Sequence, residues 1–391
     1  MGFRQRLEPS FFARVQQRVC SRLEAEGLGA VLVDHPDDVA YLTGFFHHPG
    51  ERPVVVLLPV DGEATLLVPR LEEEHAHWQQ AAAGVITYPE FPGVVEPLSV
   101  LANRIPRGGR VGFGDSMSVK RLGILTRVCA GAELVPTDAV TRTRYVKEPE
   151  EVVLHQEAAR ITDRMLEAGT ALLRDAVAGG GELPSESELA AHVGRVGVGT
   201  MYAEHEDVVV IGFLAGGLVY AGANSAKPHG LPSAYRLRPG DTFMLSLGCA
   251  VGGRFVEGER TFILGEPTAD QLRYYEAVRA AQQLGVDTLR PGLTCAQSNA
   301  ACLDVIREAG LGAYLQHRQG HGIGVGMHEP PWLEDGDDTV IEAGFVVSNE
   351  PGIYVPGHAG YRVSDSMLIT ADGATPLTSY PKAIDDIVIA A

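Results

Sequence analysis

Two apolar runs within Asp241–Leu264, set on either side of Gly252-Gly253, constrain this 391-residue chain more than any other segment. Paired glycines accept the positive φ angles of a two-residue turn, so the runs read as an antiparallel hairpin. With that turn, Val251 opposes Arg254, Ser246 opposes Glu259 and Gly248 opposes Glu257. Ser246, Gly248, Glu257 and Glu259 then share one sheet face. Phe255 and Ile263 have the same parity and are apolar, which favours a partly buried acidic pocket over a solvated edge.

The chain is long enough for two cores, because a single core usually stops growing before roughly 300 residues, and 45% of these residues are hydrophobic. Near the N-terminus, Phe11 to Gly27 reads as an amphipathic helix, and Ala30–Val33 and Val54–Leu58 read as buried strands between Gly/Pro-rich turns. That alternation is α/β. The stretch Leu134–Pro149, with its proline and basic residues, precedes a long helical pattern over Glu150–Leu173, so the expected domains are 1–147 and 148–391. In the second half, Thr268 with Gln271 and Thr294 with Gln297 match the capping box that satisfies free backbone donors at a helix start. Helices following a hairpin give an α+β reading with a central antiparallel sheet.

A formal charge of −18 and a pI near 5.1 repel phosphate backbones and anionic membranes, so neither nucleic acid nor membrane is an expected partner. The first twenty residues lack an apolar stretch followed by a cleavage site, and no later run is long enough to cross a bilayer. The expectation is a soluble, cytoplasmic protein. Five cysteines without CxxC spacing suggest buried free thiols, not disulfides or a thiolate zinc site.

Chemistry concentrates in a few ordered motifs: Gly222-Ala223-Asn224-Ser225-Ala226-Lys227-Pro228-His229-Gly230, Arg238-Pro239-Gly240-Asp241, Gly320-His321-Gly322-Ile323-Gly324, His328-Glu329-Pro330, Asn349-Glu350-Pro351-Gly352 and Gly360-Tyr361-Arg362. Together they resemble the creatinase, prolidase, aminopeptidase P and methionine aminopeptidase superfamily over nearly the whole chain. The resemblance implies an α+β pita-bread catalytic domain preceded by a smaller α/β creatinase-like domain. Its metallopeptidases hold two divalent ions through two aspartates, a histidine and two glutamates, positions that match Ser246, Glu257, His321, Glu350 and Ser364 here. Two acidic ligands are therefore hydroxyls. Glu257 and Glu350 alone would leave about two positive charges of an ion pair uncompensated at low dielectric. No metal is the leading expectation, with a single Mn, Zn or Co ion on Glu257, His321 and Glu350 as the alternative.

Creatinase works without metal, and the resemblance to it implies His229 as general acid/base, with Glu259 and Glu350 binding a cationic substrate group. It also likens Arg52 to an arginine that reaches the neighbouring subunit's site, which implies a homodimer. Where creatinase has a further carboxylate-binding arginine, this chain has Trp332. Each residue also has a structural reading. His321 could hydrogen-bond substrate or be a packing residue, and His328, a substrate contact by the resemblance, could be a polar rim residue; Glu257 could contact a cationic substrate, His229 could be a surface loop histidine and Arg52 a solvated arginine. Buried together without cations, Glu257, Glu259 and Glu350 repel one another, so one must be protonated or paired; Arg260 and Arg362 are the internal candidates. Arg362 could equally hold a substrate carboxylate.

Three functions follow: a metal-independent hydrolase of a C–N bond in a small zwitterionic amidine, guanidine or amide; a divergent Xaa-Pro dipeptidase using one metal ion; or a non-catalytic binding protein.

Overall fold

The computed structural model describes residues 2–210 and 212–391, and they form two compact units. The smaller is built on Arg6–Arg144, the larger on Tyr145–Val208 with Phe213–Ala391. Among the described residues no helix is long and apolar enough to cross a membrane.

In the smaller unit six strands lie in the order Gly84–Tyr88, Thr65–Pro69, Val55–Pro59, Ala30–Val33, Arg110–Gly114, Glu133–Thr137. Ala30–Val33 is buried along its whole length because it is central, antiparallel to Val55–Pro59 and parallel to Arg110–Gly114. Such a strand reads as an unbroken apolar run. The first helix spans Pro9–Ala25 and buries Phe11, Phe12, Val15, Val19 and Leu23, the stripe that 3.6-residue spacing dictates.

The larger unit is α+β, a nine-stranded sheet among the described residues with four long helices, Pro149–Ala178, Glu186–Glu204, Ala269–Thr288 and Cys295–Glu308. Both capping boxes form at Thr268 and Thr294. The hairpin Thr242–Val251 and Arg254–Leu264 turns on Gly252 and Gly253, at φ 55° and 77°, and pairs Ser246 with Glu259 and Gly248 with Glu257. On its other side Arg254–Leu264 pairs with Ser364–Thr370, setting Ser364 opposite Glu259 and Asp365 opposite Gly258. Parity then divides the sheet: Ser246, Glu257, Glu259 and Ser364 face one way, Arg260 and Asp365 the other.

That second face is a buried clamp beneath the acidic residues. Arg260 donates to Asp365 at 2.7 Å and to the carbonyls of Glu259 and Ser364 at 2.8 and 2.7 Å. Lys382, Gln282 and Thr378 also donate to Asp365, joining the sheet to the helix Ala269–Thr288 and the C-terminal segment. Burial alone would raise the Asp365 carboxyl, but Arg260 and Lys382 more than offset it and hold it below its ordinary value. A depressed folded-state pKa contributes stability above the unfolded value, about 3.9, and loses it as pH falls through the folded value. Asp365→Asn is therefore expected to lower the unfolding free energy by about 3 kcal/mol at neutral pH. The difference from the native protein should narrow as the pH is taken below about 4, which urea unfolding at a series of pH values measures.

Candidate active site

The acidic face of the sheet opens into a cavity of about 1100 Å³. His229, Glu257, Glu259, His321, His328, Glu350 and Arg362 all line it. Arg52 does not. It lies in the smaller unit, half-exposed, 3.6 Å from Glu51.

Glu259 and Arg362 form the fixed-charge part of the floor. Both are buried, and the guanidinium meets the carboxylate edge to edge, with Nη2 2.6 Å from Oε1 and Nε against Oε2. Ser246 Oγ donates to the same carboxylate and accepts from Nη2 at 3.1 Å. Tyr354 and Tyr220 hydroxyls accept from Nη1 and Nη2, each at 2.9 Å. Burial opposes the charge on Arg362, but Glu259 outweighs it, so the guanidinium stays ionised. Its two terminal nitrogens donate inside the protein, while Nε lies against Glu259 Oε2 as a charge contact not aligned for a hydrogen bond. Of the two internal cations open to Glu259, the structure selects Arg362; Arg260 points to the opposite face. Glu259 is thus a neutralised partner and not an open receptor for a cationic group, and Arg362 is not an open carboxylate holder.

His321, Glu350 and Glu257 form the titratable part. His321 stands on the short strand Gly320–Gly322, where its Nδ1 lies 3.0 Å from the Gly322 carbonyl. A carbonyl can only accept, so Nδ1 carries the proton and Nε2 faces the carboxylates. Nε2 is 3.2 Å from Glu350 Oε1 and 3.8 Å from Glu257 Oε2, near enough to pair in charge, yet aligned for a hydrogen bond with neither. Burial works against a charged ring, but Glu257 and Glu350 prevail and push His321 up to about 9. Burial followed by the Glu350 charge pushes Glu257 up to about 8. For Glu350 burial acts upward too, but His321 and then Arg362 hold it well below the carboxylate range. Ser364 Oγ donates to Glu257 Oε1 at 3.1 Å.

The two remaining histidines lie at the mouth. The His328 ring stacks on His321 with centroids 3.9 Å apart, and burial followed by the His321 charge pushes it down to about 4. His229 is exposed on a loop pinned at two points: the Pro228 carbonyl accepts from Tyr220 at 3.2 Å, and Ser225 Oγ accepts from the Gly360 amide at 2.9 Å.

The donor set does not fit a pair of ions. The hydroxyls of Ser246 and Ser364 are turned onto Glu259 and Glu257, and a permanent guanidinium lies within 3.1 Å of Ser246 Oγ. A single ion is chemically compatible with a different trio from the one the motifs suggest. Among the described residues the group with donor atoms all within 4.8 Å of one another is Glu257, His321 and His328, with His328 in place of Glu350. The buried, unpartnered Nε2 of His321 suits that role.

Sequence reasoning missed Tyr220, Tyr354 and His317. His317 Nδ1 donates to the Arg318 carbonyl at 2.8 Å, leaving Nε2 to accept from Tyr354 at 2.9 Å. Tyr354 stands two residues beyond the Asn349-Glu350-Pro351-Gly352 motif, which was the available signal; nothing local marks Tyr220.

The sequence matches "Metallopeptidase family M24" over residues 153–371 and "Creatinase/Prolidase N-terminal domain" over 16–146. The putative dipeptidase YkvY of Bacillus subtilis is 30% identical, covering 95% of this chain and 99% of that protein. The Xaa-Pro dipeptidase of Lactobacillus delbrueckii subsp. lactis is 30% identical, covering 93% and 96%. The crystal structure of dipeptidase PepE from Mycobacterium ulcerans, 29% identical, superposes with a TM-score of 0.85 over 99% of this chain and 100% of that one. With both family regions matched in order and the two-unit fold shared, this chain belongs to metallopeptidase family M24 and carries a creatinase/prolidase N-terminal domain.

Proposed function

We propose that this chain is a peptidase-type hydrolase that cleaves a C–N bond of a small substrate with charges borne by its own side chains. Relatives named dipeptidases and Xaa-Pro dipeptidases support the hydrolytic class. One observation carries the metal-independent part: Arg362 and His321 already set two positive charges against Glu259 and Glu350, while Ser246 and Ser364 stand at two acidic ligand positions. With Glu257 protonated, the floor is neutral without any added cation.

In the reaction, water adds its oxygen to the carbon of an amide, amidine or guanidine. The C–N bond breaks, and the nitrogen leaves with a proton. His229 at the mouth takes the proton from water and returns it to the departing nitrogen. Glu350, held ionised, attracts the cationic end of the substrate, and the Glu257 carboxyl donates a hydrogen bond to the developing oxyanion. Arg362 and Glu259 act as a fixed electrostatic floor and touch no substrate. Arg52 belongs to this reading only through a second copy of the chain, which sedimentation velocity tests; a monomer at working concentration would remove it.

A second reading is favoured by the unpartnered His321 Nε2. One divalent ion held by Glu257, His321 and His328 would supply Lewis-acid polarisation of a peptide carbonyl. Here His328 is a ligand, and its replacement should abolish metal retention.

Two measurements test the proposal. His229→Ala should lower kcat by about 100-fold or more, while a chelator leaves the native rate unchanged and elemental analysis finds no stoichiometric metal. Activity that disappears with chelator and returns with manganese, zinc or cobalt would establish the single-ion reading instead. The internal charge pair is tested by a double-mutant cycle in urea. Arg362→Gln and Glu259→Gln should each destabilise strongly, with a coupling of about 3 kcal/mol; additive effects would mean that the pair is not what neutralises the floor.

A further inference from the structure

With Arg362 committed to Glu259, the anionic end of a substrate needs another cation in the cavity. Arg318 lines it. Its guanidinium lies 4.1 Å from the centroid of the Trp332 ring, and its Nη1 donates to Glu334 Oε2 at 2.5 Å. Among the described residues nothing accepts from Nε or Nη2, so one edge of the fork, the edge that matches the two oxygens of a carboxylate, has both donors available. The side chain is 30% exposed, open enough to meet a ligand.

Its position is fixed from two directions. Stacking on Trp332 sets the plane of the guanidinium, and the contact with Glu334 sets its rotation, so little side-chain freedom is lost when a ligand arrives. The backbone is fixed as well. A directed chain of hydrogen bonds runs from Arg362 Nη1 to the Tyr354 hydroxyl, from Tyr354 to His317 Nε2, and from His317 Nδ1 to the Arg318 carbonyl. Trp332 is the cross-strand partner of His321, and directly opposed residues share a face, which brings the stacked guanidinium beside the titratable part of the floor.

We propose that Arg318, seated on Trp332 and held by Glu334, forms an anion subsite that takes the carboxylate of a small substrate whose apolar part lies against Leu218, Phe255 and Met327. The proposal rests on the reading of this cavity as a substrate site and narrows its ligand class to amphiphilic carboxylates. Lys227 lines the same cavity but is an exposed loop residue without a ring to fix it.

The test is calorimetric binding of N-acetylproline and N-acetylleucine, each beside its carboxamide, to the full-length native protein and to Arg318→Gln and Arg318→Lys. The acids should bind the native protein at least about tenfold more tightly than the amides, the scale of a hydrogen bond to a charged group. Arg318→Gln should abolish that preference, and Arg318→Lys, which keeps the charge but not the fork, should retain part of it. Equal binding of acid and amide by the native protein, no detectable binding of either acid, or a preference that survives intact in Arg318→Gln would overturn the subsite. Hydrolysis is scored separately. Acid preference without any C–N cleavage would refute the hydrolytic reading and leave the subsite standing, while cleavage without acid preference would refute the subsite alone.

Discussion

The buried pair of Arg362 and Glu259 is the contact on which the rest of the cavity depends. A guanidinium cannot shed its charge in a protein, so once Arg362 is enclosed, an anion must accompany it and every remaining donor must find an acceptor. Glu259 supplies the anion, and Ser246, Tyr220 and Tyr354 supply the acceptors. Each of these partners comes from a different strand: Ser246 and Glu259 from the two arms of the hairpin, Tyr220 from Ala215–Ala221 and Tyr354 from Gly352–Val355. The pair thereby joins the strands that build the floor. It also decides the electrostatics, because a further cation beside Ser246 would face an existing one.

This divides the cavity floor into unlike halves. Around Arg362 the terminal guanidinium nitrogens are hydrogen-bonded to Glu259, Ser246, Tyr220 and Tyr354, and the charges are paired. Around His321 they are exchangeable: one imidazole lies between two carboxylates, one carboxyl is raised and the other depressed, and neither nitrogen–oxygen contact is aligned as a hydrogen bond. Glu257, His321 and Glu350, whose titration is shifted, belong to the second half. The first half supplies a potential that does not change as these groups titrate, which is what preorganised electrostatics requires. Arg318 and Trp332 border the exchangeable half, linked to the one around Arg362 through Tyr354 and His317.

Much of this was legible in the sequence, and the reason lies in strand periodicity. Gly252-Gly253 fixes a turn, a turn fixes a register, and a register fixes which side chains face one another; the pairing of Ser246 with Glu259 needed nothing more. The motifs likewise brought His229, His321, His328 and Glu350 to one cavity. What periodicity cannot supply is the partner of a long side chain. The sequence left Arg362 either an internal partner of a glutamate or a carboxylate holder, and which way its donors turned depended in part on Tyr220, more than 140 residues away and without a local mark. The trio of mutually close donor atoms differs from the motif trio for a related reason. His328 lies in the bend just before the strand Glu329–Leu333 and stacks on His321 beside a register shift between His321 and Gly322, and no sequence spacing encodes such a shift.

On the proposed metal-independent reading, the hairpin accounts for fixed charge in place of ion chemistry by a small rearrangement. Directly opposed residues on an antiparallel pair have Cβ atoms about 5 Å apart, so a carboxylate borne at position 259 in place of 246 stays on the same face and in the same cavity. Its reach changes, however. From position 259 the oxygens meet Arg362 edge to edge, and the hydroxyl left at 246 serves as donor to that carboxylate and acceptor from that guanidinium. Ser364, the third member of the row and opposite Glu259 on its other side, repeats the arrangement by donating to Glu257. The acidic content of the floor is thus redistributed along one row of the sheet, from groups that would surround a cation to groups that pair with side chains. The row itself is held from behind by Arg260, which donates to the carbonyls of Glu259 and Ser364.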